Sequence, residues 1–295
     1  MKSCSFRKLD AFTTGASPGN PAGCVLLTSP GDISANDMQR IARELGDLVS
    51  EVGYVWPSPA TDWDYELRYF SREREVNFCG HATVAIMYDL LKRGEKANHA
   101  GTVKIETPAG VLDVENRISD QNLVFIHAPL PQFFEVKPPA ADVVKALNLN
   151  EGALDLSCPI ASVNAGLNTL LVGLKTLSDC VDCRPDYETL RRFCSDYEID
   201  VITLHTFDTT FKDSDVRTRV FPPLFGYLED PATGSGNAAL GYLLASRDHW
   251  REATLKIEQG MSRENPNIVI LKKAGDRLQI GGQSVCRIDG KYILT

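Results

Sequence analysis

Two helical stretches that are apolar nearly all round constrain this chain most. They are Ala82-Thr-Val-Ala-Ile-Met-Tyr-Asp-Leu-Leu91 and Asn237-Ala-Ala-Leu-Gly-Tyr-Leu-Leu-Ala245. A surface helix keeps a polar face, so a helix without one is buried on every side. Most of the remaining periodicity is that of strands. Trp63–Tyr69 alternates apolar and polar residues with period two, and Thr102–Thr107, Pro108-Ala-Gly110 and Val111–Val114 read as strand, turn, strand. Leu123–Ile126, Asn168–Val172, Val201–Leu204, Asn267–Ile270 and Leu278–Ile280 are further candidate strands. A buried helix in a strand-rich segment predicts a sheet wrapped around it.

The two buried helices also align with each other. A constant offset of 154 residues pairs Gly80 with Gly234, Ala85 with Ala239, Tyr88 with Tyr242 and Leu90 with Leu244. A weaker echo links Asn20-Pro-Ala-Gly23 to Asn164-Ala-Gly166. Two copies suggest an internal duplication and not a solenoid. At 295 residues, each copy would be a domain of about half the chain. Pro129, Pro131, Pro138 and Pro139 mark a linker zone between them. Amphipathic helices are few. Ser34 caps one running through Met38–Leu45, Asp186–Tyr197 is a second, and Ala141–Leu147 a third.

Composition excludes several function classes. Hydrophobic residues make up 43% and charged residues 24%, as in ordinary globular proteins. The net charge is −8 and no Lys/Arg run forms a phosphate-tracking stripe, so nucleic acid is not the expected partner. The stretch Met1–Asp10 lacks an apolar signal-peptide region, and no apolar run is long enough to span a bilayer. The expected location is the cytoplasm. The eight cysteines there read as mostly buried thiols. Cys180-Val-Asp-Cys183 has no second pair beside it, so neither a zinc nor a redox role is expected.

The chemistry gathers at the starts of the two buried helices. Phe78-Cys-Gly-His-Ala-Thr83 precedes the first, and Glu229-Asp-Pro-Ala-Thr-Gly-Ser-Gly-Asn237 the second. Each helix start offers unpaired N–H groups to an anion. The expectation is that they face each other and hold one small carboxylate-bearing substrate. Acid/base candidates are Cys79 and His81 on one loop, Asp230 on the other, and Glu51 at the mouth of the apolar run Val52-Gly-Tyr-Val-Trp56. Each has a plainer reading: Glu51 as a solvated strand end, His81 bonded to backbone, Asp230 a turn residue before Pro231, and Cys79 a small buried hydrophobe. His99, His127, His205 and His249 have no partner at metal-ligand spacing and read as structural or surface residues. Gly234-Ser-Gly236-Asn-Ala-Ala239, with Glu258 beyond it, matches a dinucleotide-binding pattern. The preceding segment is broken by prolines and no βαβ alternation is expected there.

Taken in order, Asp10-Ala-Phe-Thr13, Gly19-Asn-Pro-Ala-Gly23, Ile41-Ala-Arg-Glu-Leu45, Ser50-Glu51, Cys79-Gly-His-Ala-Thr83, Glu229-Asp-Pro-Ala-Thr-Gly-Ser235 and Gln259-Gly260 resemble the PhzF family of phenazine-biosynthesis-like isomerases. That family is related in fold to diaminopimelate epimerase. The resemblance implies an α+β chain of two pseudo-symmetric domains, each a barrel-like sheet around a central helix. The boundaries that follow are 1–128, with 284–295 a candidate strand to complete that domain, and 129–283. It also implies a cleft between the domains, no cofactor, and a homodimer. By carry-over Glu51 shuttles the proton, and His81 and Asp230 flank the substrate. Gly80 and Ser235 line the site, and Cys79, Thr233 and Gly234 on the same loops join them as expected substrate-binding residues. The family's characterised reaction isomerises a dihydro-hydroxyanthranilate. Cys79 stands where related racemases keep their first thiol, but the second loop has no Cys near Pro231. An asymmetric proton-shift isomerase is therefore expected. A racemase or epimerase using Cys79 as base, and a non-catalytic binding protein, are the alternatives.

Overall fold

The computed structural model describes residues 2–94 and 101–294. His99 lies outside them. The chain divides into two compact units, Met1–His127 with Gly281–Thr295, and Ala128–Ile280.

The first unit runs β1 (Lys2–Ala11), β2 (Asn20–Leu26), α1 (Ala35–Glu44), β3 (Glu51–Pro57), β4 (Tyr65–Ser71), β5 (Glu75–Val76), α2 (Gly80–Arg93), β6 (Gly101–Thr107), β7 (Gly110–Arg117), α3 (Ile118–Gln121) and β8 (Leu123–His127). The second runs β9 (Gln132–Phe134), α4 (Ala140–Ala146), β10 (Ala161–Asn164), β11 (Asn168–Gly173), α5 (Leu177–Val181), α6 (Tyr187–Asp196), β12 (Val201–Thr206), β13 (Val216–Phe221), α7 (Gly234–Ser246), β14 (Thr254–Gln259), β15 (Asn267–Ala274) and β16 (Arg277–Gly282). The last strand, β17 (Ser284–Leu294), pairs antiparallel with β1 and belongs to the first unit.

Strand pairing repeats from one unit to the other. β1–β2 is antiparallel, β2–β3 parallel, β3–β4 antiparallel, β4–β6 parallel and β6–β7 antiparallel. In the second unit β10–β11 is antiparallel, β11–β12 parallel, β12–β13 antiparallel, β13–β14 parallel and β14–β15 antiparallel. Each parallel pair needs a crossover. The helix crossing from β4 to β6 is α2, and the one crossing from β13 to β14 is α7. The duplication read from the 154-residue offset is thus a duplication of topology.

Both crossing helices are buried through their central turns, as an all-round apolar pattern requires. α2 packs against β1, β2, β3, β8 and β17, and α7 against β10, β11, β12 and β15. Close approach of α2 to β3 depends on Gly53, because a Cβ there would lie 2.2 Å from Ile86 Cδ1. A second layer covers the other sheet face. In the first unit α1 contributes Met38, Ile41 and Ala42 to a cluster with Val25, Val52 and Tyr54. In the second, α4 and α6 supply Val143, Leu190, Phe193 and Cys194 against Leu170, Val172, Ile202 and Leu204.

The expected cap is present, with Ser34 accepting from the Asp37 N–H, and Asp186 caps α6 by accepting from the Thr189 N–H. The proline-rich zone is more than a linker, since it contains β9, which pairs with β10. The expectation of no βαβ arrangement around α7 is wrong: β13, α7 and β14 form one. A dinucleotide site is still disfavoured there, because Glu258, the residue a ribose would need, is fully buried in an ion pair with Arg217 at 3.2 Å. Cys180 and Cys183 are buried, and burial pushes their thiols up to about 12 and about 11. His205 is buried 3.2 Å from the Cys158 sulfur, which makes it a core histidine.

Candidate active site

In the first unit, β3 and α2 bring Glu51, Cys79, Gly80 and His81 together. Glu51 is the first residue of β3, and Cys79, with extended backbone, precedes α2. No side chain caps that helix start, so its first N–H groups remain open to an anionic ligand. Gly80 has no positive φ, and within 4 Å of where its Cβ would lie there is only a Phe78 ring carbon at 3.8 Å. Its service is open space beside the helix start, not a special turn.

His81 is the hub. Its Nε2 lies 3.2 Å from Ser50 Oγ and 3.4 Å from Glu51 Oε2, and its Nδ1 lies 3.4 Å from Cys79 Sγ. The tautomer follows from Ser50. That hydroxyl spends its single hydrogen on the Pro21 carbonyl at 3.0 Å, so it offers His81 only lone pairs. Nε2 therefore carries the ring hydrogen, and Nδ1 turns its lone pair to the thiol. Glu51 Oε2 is buried and, among the described residues, accepts no hydrogen bond. A buried carboxylate oxygen without a donor is a ready proton acceptor. The helix start is braced by Thr83, whose hydroxyl donates to the Cys79 carbonyl at 2.7 Å and meets the Tyr69 hydroxyl at 2.7 Å.

In the second unit, Asp230, Thr233, Gly234 and Ser235 come together at the start of α7. That start also lacks a side-chain cap. The Thr233 hydroxyl donates to Asp230 Oδ2. The loop is held by Gln259, whose Nε2 donates to the Asp230 carbonyl at 2.8 Å and to Thr233 Oγ1 at 3.1 Å. Gln259 Oε1 accepts from the Thr233 N–H at 2.9 Å and from Asn237 Nδ2 at 2.7 Å. Asn267 adds a bond to the Pro231 carbonyl at 2.7 Å. Ser235 is half-buried on the first turn of the helix. Glu229 is a structural residue, paired through two hydrogen bonds with the buried Arg219.

Sequence reasoning missed the supports. Ser50 and Gln259 lay inside quoted motifs with no role, and Asn267 was a strand residue only. A buried amide or hydroxyl next to a Gly-rich loop is the signal that could have marked them.

The phenazine biosynthesis-like protein family model matches residues 9–290. An uncharacterised isomerase of Bacillus subtilis, YfhB, is 30% identical over 284 residues, covering 95% of this chain and 94% of that protein. The trans-2,3-dihydro-3-hydroxyanthranilate isomerase of Pseudomonas chlororaphis is 26% identical over 294 residues, covering 97% of this chain and 98% of that one. A crystal structure of a PhzF-family phenazine biosynthesis protein from Bacillus anthracis superposes with a TM-score of 0.87 at 25% identity, covering both chains fully. With the fold, the ordered motifs and these likenesses together, the chain belongs to the phenazine biosynthesis-like, PhzF-type family of isomerases.

Proposed function

We propose that the protein isomerises a small carboxylate-bearing metabolite by moving a proton at carbon, with Glu51 as the group that takes and returns it. The observation that carries this reading is Glu51 Oε2: a buried oxygen without a hydrogen-bond donor among the described residues, 3.4 Å from the ring nitrogen of His81. His81 keeps a hydrogen on that nitrogen and can share the negative charge of Glu51 between proton transfers. The open start of α2 suits the substrate carboxylate. Asp230, Thr233, Gly234 and Ser235 stand at the start of α7, a second uncapped helix start suited to an anionic group. No step in this scheme needs a cofactor. A homodimer acting in the cytoplasm is part of the same proposal and rests on family resemblance.

The test is solvent deuterium incorporation into a turned-over substrate, found by screening small carboxylates with a thermal-shift readout. Glu51→Gln should lower the exchange rate by about 10²–10⁴-fold, the range for a positioned acid/base. Full activity in that variant would sink the proposal. A second reading has its own observation: Cys79 Sγ lies 3.4 Å from His81 Nδ1, so a thiolate could serve as the base of a racemase or epimerase. Retained activity in Cys79→Ala removes it.

A further inference from the structure

Glu51, Cys79 and His81 set three kinds of metal ligand at one point, with a donor atom of each within 4.8 Å of the others. We propose that this trio binds a thiophilic divalent cation of the zinc class, and that the bound ion blocks the acid/base site. One pair of the trio is already at metal-centre spacing. Tetrahedral zinc, with bonds of about 2.3 Å to sulfur and 2.0–2.1 Å to nitrogen and oxygen, sets sulfur about 3.5 Å from nitrogen and nitrogen about 3.4 Å from oxygen. Cys79 Sγ and His81 Nδ1 stand 3.4 Å apart, at the sulfur–nitrogen spacing, while the 3.4 Å from Glu51 Oε2 runs to the other ring nitrogen, Nε2, so the carboxylate must swing toward Nδ1 to complete the site.

Two further observations point to a ligand. The Ser50 hydroxyl, tied to the Pro21 carbonyl, holds the hydrogen of His81 on Nε2 and leaves the Nδ1 lone pair directed at the thiol. That is the outer-shell partner a ligating histidine needs to fix its ring. Glu51 Oε2 is buried with no hydrogen-bond donor among the described residues, a cost that a cation would offset. Three protein ligands leave a fourth position for water or a carboxylate. On binding, the Cys79 thiol gives its proton to solvent and the sulfur bonds the ion, so affinity rises with pH. The other close sulfur–imidazole pair, Cys158 with His205, belongs to no such three-ligand group among the described residues.

Metal binding stands on this geometry and not on the reaction proposed above; only the blocking of the acid/base site rests on that reading. The experiment is titration of the metal-free full chain with Co²⁺, followed by Zn²⁺ competition. We expect one Co²⁺ per chain with a sulfur-to-cobalt charge-transfer absorption that Zn²⁺ displaces. Cys79→Ser should abolish the band and Cys158→Ser should leave it. Glu51→Gln should weaken Co²⁺ binding at least tenfold, and Ser50→Ala by about tenfold, as outer-shell losses do. A band that survives Cys79→Ser, or an affinity untouched by Glu51→Gln, overturns the proposal. Because the readout is spectroscopic, either result leaves the deuterium-exchange test of catalysis undecided and separate.

Discussion

The starts of α2 and α7 are copies that have parted. Both are Gly-led, both lack a side-chain cap, and both cross between parallel strands of one unit. At α2 the groups nearest the helix start are titratable: a carboxylate, an imidazole and a thiol, with Glu51 and His81 partly open to solvent. At α7 the loop is fastened by amides. Gln259 makes four hydrogen bonds from a fully buried position, and the Thr233 hydroxyl is given to Asp230. The difference teaches that the fold supplies the uncapped helix start twice, while the cluster of carboxylate, imidazole and thiol gathers at one of them. The other is fastened by buried hydrogen bonds.

The largest effect that could break this comparison is on stability. Gln259→Ala removes the shared partner of Thr233, Asn237 and Asp230 and strands buried donors and acceptors. It should cost about 3–5 kcal/mol in urea denaturation, since each such orphan costs about 1–3 kcal/mol. Ser50→Ala, its counterpart at α2, should cost less than half of that. Equal losses would mean that the two helix starts are equally fastened.

A pH experiment separates the units next. Burial pushes His205, in the second unit, from an ordinary 6.5 down to about 4. The unfolded chain takes up a proton there that the folded chain refuses, so this stability is fully present above 6.5 and is lost as pH falls toward 4. Between pH 7 and pH 5 the parent chain should lose about 2 kcal/mol more than His205→Gln, measured by denaturation at both values. No difference between the two proteins would remove His205 as an acid-sensitive element.

A smaller effect concerns α2. Gly53→Ala drives a Cβ into Ile86, which is fully buried, and should cost about 1–3 kcal/mol through overpacking. It should also shift α2 against β3 and lower activity by separating His81 from Glu51. Loss of stability with unchanged kcat would show that this spacing is not critical.

Much of this was legible in the sequence, for physical reasons. The all-round apolar helices, the Ser34 cap and the alternating strands are local patterns, and local patterns survive without a structure. β13 was not legible. Val-Arg-Thr-Arg-Val-Phe carries two arginines, yet all six residues are buried. Arg217 and Arg219 are neutralised by Glu258 and Glu229, and such pairing leaves no trace in periodicity. β1 went unread because it pairs across almost the whole chain with β17, a strand that only the family resemblance anticipated. Glu51, His81 and Asp230 were singled out through motifs. Ser50 and Gln259 act through long-range hydrogen bonds, so only the fold assigns them work.

The most direct test of the asymmetry sets Glu51→Gln beside Thr233→Val in one assay of solvent hydrogen-isotope exchange, with kcat and KM resolved separately. The account predicts that Glu51→Gln loses kcat by about 10²–10⁴-fold with KM little changed. Thr233→Val should raise KM and keep most of kcat. A Glu51→Gln enzyme that exchanges at the parent rate, or a Thr233→Val enzyme that loses kcat to the same extent, would contradict it.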